Sequence, residues 1–344
     1  MLNRVKSILR AGRFSLTSRT SRVGLRFVNV LLGNRRENFF ISFNSALIED
    51  GLGAQLQRQL SIKALASFLG VNFIPVPLLQ IAMHPLDDFK STDDMKKFLT
   101  KVNEIFGFNN VVVDGSRKNY IVDILNIRTL LQFVIRLRLF RQSLHVTVAE
   151  VYSLVDSNPD MYLKALGDFQ LNPQIYNFDQ KLTQTDICIH YRQGVGGKAI
   201  YPGQKISREL DPEYFLSILN TMEANGKSIS ILTDAPEEDL RFYPHPSQSH
   251  LWVGTPGYKD GCVEIKGLKL REFFAKFGYE VQVISGGDLL SSLLLMIKCE
   301  SLLMSRSSLS FVAGLLNKDG KIYYPPRFWH PPLENWIKVS EYAD

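Results

Sequence analysis

The most informative part of this sequence is an apolar run that ends in a histidine and an arginine, Ile187-Cys188-Ile189-His190-Tyr191-Arg192-Gln193-Gly194. Its apolar run ends at the glycine-rich segment Gly194-Val195-Gly196-Gly197, which predicts a buried strand followed by a turn. Because residues i and i+2 of a strand point to the same face, His190 and Arg192 are predicted to project together from its carboxyl end. Ligands of open α/β sheets bind at that edge, and the planar guanidinium of Arg192 suits phosphate. The stretch therefore predicts an anion site.

The second half of the chain continues this strand with an alternation of strand and helix patterns. Apolar, β-branched runs predict strands at Ser228–Thr233, Glu280–Ser285, Ser301–Met304 and Lys321–Tyr324. Helical spacing of apolar residues predicts helices at Asp211–Asn225, Leu289–Cys299 and Phe311–Leu316. We take residues 184–344 as the C-terminal domain.

Residues 38–183 show the same alternation and are taken as the N-terminal domain, which the polar segment Asn172–Thr185 ends. Strands are predicted at Phe39–Phe43, Val71–Leu78 and Val111–Asp114. Helices are predicted at Gln55–Leu69, Thr92–Phe106, Val122–Phe140, Val146–Asp156 and Asp160–Phe169. The chain is therefore predicted to have an α/β fold, with two Rossmann-like domains facing a cleft.

Composition is that of an ordinary globular protein, with 45% hydrophobic and 22% charged residues in 344. The three cysteines, Cys188, Cys262 and Cys299, have neither a disulfide framework nor zinc spacing. They are predicted to be buried small residues of a protein from a reducing compartment. A cytoplasmic location is expected.

The basic charge is confined to an N-terminal arm, residues 1–37. Nine basic residues and no acid lie in 1–36, so the net charge of +6 becomes −3 for residues 37–344. This distribution argues against a nucleic-acid-binding body. Three alternatives remain for the arm: peripheral contact with an anionic membrane through residues 1–36, a solvated tail, or an organelle presequence. No segment reaches the roughly 20 apolar residues that span a bilayer.

Three clusters at predicted strand ends or turns are candidates for chemistry. They are Asp50–Gln55, His190–Gly194 and Ser305–Ser310. A serine-rich turn that opens a helix offers hydroxyls and backbone N–H groups to phosphate, although such a turn is more often only a cap. The other conspicuous histidines lack metal-ligand spacing and are predicted to pack in loops; they are His245, His250 and His330.

In order along residues 38–337, these clusters resemble the motifs of the α-1,2-fucosyltransferases and their relatives, the α-1,6- and protein O-fucosyltransferases. Gly51-Leu52-Gly53-Ala54-Gln55 is similar to the Gly-Leu-Gly-Asn-Gln turn of that family. His190-Tyr191-Arg192-Gln193-Gly194 resembles its His-x-Arg-Arg-Gly-Asp motif. Residues 299–313 resemble its third motif, in which a Ser/Thr-rich turn opens a helix, and Leu232-Thr233-Asp234 is similar to its strand-end Ser-Asp-Asp.

The resemblance implies a B-type glycosyltransferase with inverting, metal-independent chemistry and no cofactor. The donor would be GDP-fucose, and the acceptor would be a hydroxyl of a glycan. Arg192 would act in catalysis at the β-phosphate, His190 would lie beside the donor, and Ser307 and Ser308 would contact phosphate. The other donor-site residues would be Gly51, Gly53, Gly194, Asp234, Arg306 and Ser310. Without a metal, an arginine and convergent N–H and O–H donors must stabilise the charge on the departing diphosphate.

The chain departs from the family pattern at several motif positions. Gln193 and Val195 stand where the family has its second arginine and its acid, and Ala54 replaces an asparagine. Ser292 occupies the position of the acid that reads guanine in relatives. Our hypothesis is that Arg306 supplies the positive charge missing at Gln193.

Asp50 is the candidate general base, because a carboxylate within reach of an acceptor hydroxyl can remove its proton. The alternative is that Asp50 only caps the turn that follows. Two other functions stay open, a transferase for a different GDP-sugar and a non-catalytic nucleotide-sugar or glycan-binding protein. A dinucleotide oxidoreductase is disfavoured, because no Gly-x-Gly-x-x-Gly follows the first strand. Phe328–Pro332 is the best candidate for a wall of the binding pocket.

Overall fold

The computed structural model describes most of the strands, helices and short connections of the chain. The described residues are 39–44, 50–82, 91–108, 118–121, 144–148, 151–167, 169, 171–172, 185–192, 210–234, 239–242, 258–259, 262–266, 269–286 and 288–340, with a few positions between 28 and 135. The predictions for the basic arm, for Val111–Asp114 and for most of Val122–Phe140 lie outside these residues.

The first of two compact units contains a four-stranded, fully parallel sheet of order β2-β1-β4-β3. Its strands are β1 (Phe39–Phe43), β2 (Asn72–Ile74), β3 (Lys118–Ile121) and β4 (Leu144–Val148). Its helices are α1 (Leu52–Leu69), α2 (Thr92–Ile105), α3 (Tyr152–Asp156) and α4 (Asp160–Gly167). The predicted strand at the start and the predicted helices at α1 and α2 are confirmed.

Two predictions for this unit are wrong, each for an identifiable reason. Residues 146–148, assigned to a helix, belong to β4, because Val146 and Val148 alternate as buried side chains between two neighbouring strands. The strand predicted for Val71–Leu78 is only the three residues of β2. Pro75 and Pro77 follow it, and proline has no N–H to donate to a sheet.

The second unit contains a six-stranded parallel sheet and a small antiparallel one. Its elements in chain order are β5 (Ile187–Tyr191), α5 (Pro212–Thr221), β6 (Ile229–Thr233), β7 (Asp239–Phe242), β8 (Tyr258–Lys259), β9 (Cys262–Lys266), α6 (Leu270–Ala275), β10 (Val281–Ser285), α7 (Leu289–Lys298), β11 (Ser301–Leu303), α8 (Ser308–Leu316), β12 (Lys321–Tyr324) and β13 (Ile337–Lys338). The antiparallel sheet, β7-β9-β8, was not predicted from the sequence.

The large sheet has the strand order of a dinucleotide-binding fold. Its order is β10-β6-β5-β11-β12-β13, which is 3-2-1-4-5-6 when the strands of this sheet are numbered along the chain. The direction of winding reverses between β5 and β11, which pair in parallel with Ile189 opposite Leu303. The α/β prediction is confirmed, and the reversal point marks where a ligand of such a sheet binds.

The two faces of β5 have different surroundings. Ile187, Ile189 and Tyr191 belong to one buried apolar cluster, which includes Phe215 of α5 and Phe273 of α6. By alternation Cys188 lies on the other face. Cys188 and Cys299 are buried free thiols in contact, and burial raises the pKa of Cys188. Both behave as the small buried residues that the sequence predicts.

Residues Gly51–Ala54, which include the first turn of α1, belong by their contacts to the second unit, whereas α1 from Gln55 onward belongs to the first. The glycine turn is therefore part of the second unit. Among the described helices, none combines the length and hydropathy required to cross a bilayer.

Asn317, at the end of α8, hydrogen-bonds to the end of α7 and to the connection between α8 and β12. Its Nδ2 donates to the carbonyls of Met296 at 3.2 Å and Cys299 at 2.9 Å. Its Oδ1 accepts from the backbone N–H of Gly320 at 2.8 Å. The side chain is buried, so it satisfies backbone groups that water would not reach.

Replacing Asn317 with alanine should lower the free energy of unfolding by about 2–3 kcal/mol, because three buried hydrogen bonds are lost. Urea denaturation measures the change. Asn225→Ala, at an exposed turn of the same unit, serves as the control and should change stability by less than about 0.5 kcal/mol. Equal effects of the two substitutions would contradict this assignment.

Candidate anion site at the strand-order reversal

Arg192 lies at the carboxyl end of β5, between the ends of its two neighbouring strands. Its Nη1 donates to Oγ of Ser307, which follows β11, at 3.0 Å. Its Nε lies 3.8 Å from Oδ2 of Asp234, the residue after β6. Such a long, partly exposed ion pair adds little stability. Three adjacent strands thus position one cation.

Ser307 is the N-cap of α8 and organises the serine turn. Its Oγ accepts from the N–H of Leu309 at 3.3 Å as well as from Arg192. Ser308 begins the helix, whose first-turn N–H groups carry partial positive charge. Arg192 and the amino end of α8 therefore place positive charge at the same point.

Ser310 acts inside the turn. Its hydroxyl is fully buried and donates to the carbonyls of Ser305 and Ser307, each at 3.1 Å. This side chain shapes the backbone of the turn, and a ligand would meet the backbone that it holds.

Arg306 points into the interior of the second unit. It is 5% exposed, and its Nε donates to the carbonyl of Pro326 at 2.9 Å. Burial raises the pKa of the Tyr214 hydroxyl in α5, and the charge of Arg306 opposes that rise, which places the two groups near each other. In this structure Arg306 connects the serine turn to the backbone at Pro326.

His190 is buried on β5, two residues before Arg192. Its Nδ1 lies 2.8 Å from Oγ of Ser305, a residue of the serine turn that was not predicted to belong to the site. The pKa of His190 is lowered to about 4, first by burial and then by the charge of Arg192, while Asp234 acts in the opposite direction. The imidazole is therefore neutral at neutral pH.

Gly53 packs against the start of α8. A Cβ placed on Gly53 would lie 2.4 Å from the backbone N and 2.6 Å from Cα of Leu309. Gly53 lies in the regular helix α1, so this position requires glycine because of close approach and not because of an unusual φ. Gly51 directly precedes the helix. The glycine turn and the serine turn, 255 residues apart at Gly53 and Ser308, thus meet in one place.

The carboxylate of Asp50 forms an ion pair with an arginine of the first unit. Its Oδ2 forms an ion pair with Nη2 of Arg58 at 2.9 Å, and its carbonyl accepts from Nε2 of Gln55 at 3.0 Å. The carboxylate side chain remains 44% exposed. Gln193, Gly194 and Val195 lie outside the described residues.

An aromatic cluster supports α8 from beneath. The ring of Phe311 lies 5.8 Å from Phe328, 5.1 Å from His330 and 5.3 Å from Trp336. Tyr324 donates from its hydroxyl to the carbonyls of Phe328 and His330. The packing role predicted for His330 is confirmed. Phe328, proposed from the sequence as part of a pocket wall, is likewise buried beneath the helix.

Asp288 is the acidic residue one helical turn before Ser292. Asp288 caps α7, accepting from the N–H groups of Leu290 at 3.4 Å and Ser291 at 3.1 Å. Within the described residues, no three His, Cys, Asp or Glu side chains form a group that could hold a metal ion.

No protein-family model matches the chain, and no curated protein matches it. Among solved structures, POFUT1 in complex with GDP is 9% identical with a TM-score of 0.47, covering 83% of this chain and 97% of that one. The E. coli ADP-heptose LPS heptosyltransferase II is 10% identical with a TM-score of 0.36, covering 88% and 89%. A glycosyl transferase family 9 protein from Veillonella parvula is 13% identical with a TM-score of 0.35, covering 88% and 85%. Similarities this low do not assign a function to the chain.

Gly53→Ala should destabilise the protein by about 1–3 kcal/mol, because the added methyl group would overlap backbone atoms of Leu309. Thermal and urea denaturation measure the loss. Gly167→Ala in α4 is the matched control, since a Cβ there meets nothing within 4 Å and the change should be neutral or slightly stabilising. Unchanged stability in Gly53→Ala would contradict the close packing.

His190 should make stability depend on pH between about 4 and 6.5. Its pKa is about 4 in the folded protein and about 6.5 when unfolded, so the unfolded state binds more protons in this range. The stabilisation that His190 provides through its low pKa is complete above pH 6.5. It is lost as the pH falls toward 4, by up to about 3 kcal/mol. Urea denaturation from pH 4 to 7 should show a steeper fall for the wild type than for His190→Gln. Parallel stability curves for the wild type and His190→Gln would contradict a lowered pKa of His190.

Proposed function

We propose that the chain is a glycosyltransferase that moves a sugar from a nucleoside diphosphate donor to a hydroxyl of a glycan acceptor. The observation that carries the proposal is the joint placement of Arg192 and the amino end of α8 at the strand-order reversal. In a sheet of this order, that edge is where a nucleotide binds.

The chemistry of glycosyl transfer requires such a site. As the sugar leaves, negative charge develops on the departing diphosphate oxygen, and fixed donors aimed at it lower the barrier. Arg192 can offer a charge-assisted hydrogen bond, and α8 can offer its first N–H groups. Ser307 holds Arg192 with its hydroxyl at 3.0 Å, so the guanidinium is positioned before a ligand arrives.

The finer identity of the reaction follows from the motif resemblance. On that basis we propose GDP-fucose as the donor, inversion at the anomeric carbon, and no requirement for a metal or cofactor. The 38–183 domain is proposed to bind the acceptor and the 184–344 domain the donor. Asp50 is proposed as the general base, with Arg58 holding one of its two carboxylate oxygens at 2.9 Å. Membrane contact through residues 1–36 remains part of the proposal.

A second candidate is a nucleotide-sugar-binding protein without catalysis. It is favoured by the ion pairs of two carboxylates at the motifs, since Asp50 pairs with Arg58 and Asp234 with Arg192. Binding would then need the same cationic site but no group to accept the proton of an acceptor hydroxyl.

A donor screen separates these functions. Thermal shift with GDP-, UDP- and dTDP-sugars should show stabilisation by GDP-fucose, because a ligand that binds the folded state raises its stability. GDP release in the presence of a mixture of glycan acceptors should then report transfer. Binding without GDP release would favour the second candidate, and no binding of any of these nucleotides would overturn both.

Arg192→Ala should weaken GDP binding about 10- to 100-fold, because a charge-assisted hydrogen bond to phosphate is lost. Isothermal titration calorimetry measures the change. Lys227→Ala is the control: it removes a basic residue of the same unit whose exposed pair with Glu300, at 3.0 Å, lies at the opposite edge of the sheet. Equal GDP affinity in the two variants would place the diphosphate elsewhere.

A further inference from the structure

Ser305 and His190 form a buried pair behind the cation of the site. Ser305 follows β11 and is 1% exposed, and His190 on β5 is 8% exposed. Their side chains meet at 2.8 Å, between Ser305 Oγ and His190 Nδ1. The contact is made across the β5–β11 pair, next to the Arg192–Ser307 contact.

The protons available to Ser305 and His190 determine which atom donates in this hydrogen bond. The Ser305 hydroxyl carries one proton, and the acceptor within reach among the described residues is Nδ1. If Nδ1 carried the ring proton, that buried hydroxyl proton would have no acceptor among the described residues, at a cost of about 1–3 kcal/mol. Ser305 therefore donates to Nδ1. Because the ring is neutral, with a pKa of about 4, its single proton lies on Nε2.

The second ring nitrogen, Nε2, is the other polar atom of the His190 side chain. It bonds to no described residue, and it is not one of the enclosed atoms that lack a partner. The charges of Arg192 and Asp234 both act on the ring, so His190 lies within the same electrostatic site. A neutral N–H donor beside Arg192 can bind an anionic oxygen without placing a second positive charge next to the guanidinium.

We propose that Ser305 is a positioning residue that holds His190 as its Nε2–H tautomer, so that Nε2 donates a hydrogen bond to a diphosphate oxygen of the bound nucleotide. The other tautomer would turn a lone pair toward that oxygen and repel it. The ligand in this inference rests on the proposed function, whereas the tautomer is a property of the free protein.

The test uses a matched pair of substitutions in the full chain. Ser305→Thr keeps the hydroxyl. Ser305→Val introduces a side chain of nearly the same shape as threonine but without the hydroxyl. Two-bond nitrogen–proton NMR of 15N-histidine-labelled protein distinguishes the tautomers, and His190→Gln identifies the signal of His190. Titration calorimetry with GDP measures binding, and circular dichroism checks that both variants are folded.

In the wild type and in Ser305→Thr, His190 should show the Nε2–H tautomer at pH 7.5. Ser305→Val should lose this preference and bind GDP about 5- to 10-fold more weakly, whereas Ser305→Thr should stay within about twofold of the wild type. A side chain with only a packing role would affect GDP binding equally in the two variants.

Two other results would overturn the inference about Ser305 and His190, and a third would overturn only its ligand. An Nδ1–H tautomer in the wild type overturns the inference, as does equal GDP affinity of folded Thr and Val variants. If the wild type binds no GDP, the proposed function fails and the ligand part of the inference fails with it. The NMR result still decides whether Ser305 sets the tautomer.

Discussion

The parallel pairing of β5 with β11 is the constraint on which the site depends. It places Ile189 opposite Leu303, so the loops that follow the two strands start side by side, about 5 Å apart. From there Arg192 reaches Ser307 and His190 reaches Ser305 without any long excursion of the chain. A register slip of one residue would turn His190 to the opposite face of the sheet, into the apolar cluster beneath, and would dissolve both contacts.

Much of the fold could be predicted from the sequence, because buried parallel strands are short apolar runs and helices show their own spacing. The run before His190 and the helix after Gly53 are of this kind. The prediction failed where two patterns overlap: Val148 is also at helical spacing from Val151 and Val155, and the pairing of residues 146–148 with β1 and β3 makes them a strand. The strands β7 and β8 are too short and polar to stand out as a pattern, and β9 has Glu264 and Lys266 among its five residues.

The site could be predicted in its residue types but not in its pairings. His190 and Ser305 are 115 residues apart, as are Arg192 and Ser307, and nothing local in the sequence specifies such partners. Arg306 shows the limit most clearly. Its position in a serine turn suggests a ligand group, yet the carbonyl of Pro326 draws its side chain inward. The need for glycine at position 53 likewise depends on Leu309, which the sequence places far away.

The aromatic support of α8 has a consequence for how the chain acquires its shape during synthesis. A Cβ on Gly314 would lie 3.2 Å from the indole of Trp336, and the same indole packs on Phe311 and Tyr324. The helix that presents the serine turn therefore reaches its final packing only after residue 336 has left the ribosome. Until then the nascent chain can form β5 and β11, but the aromatic packing that supports α8 at the anion site is incomplete.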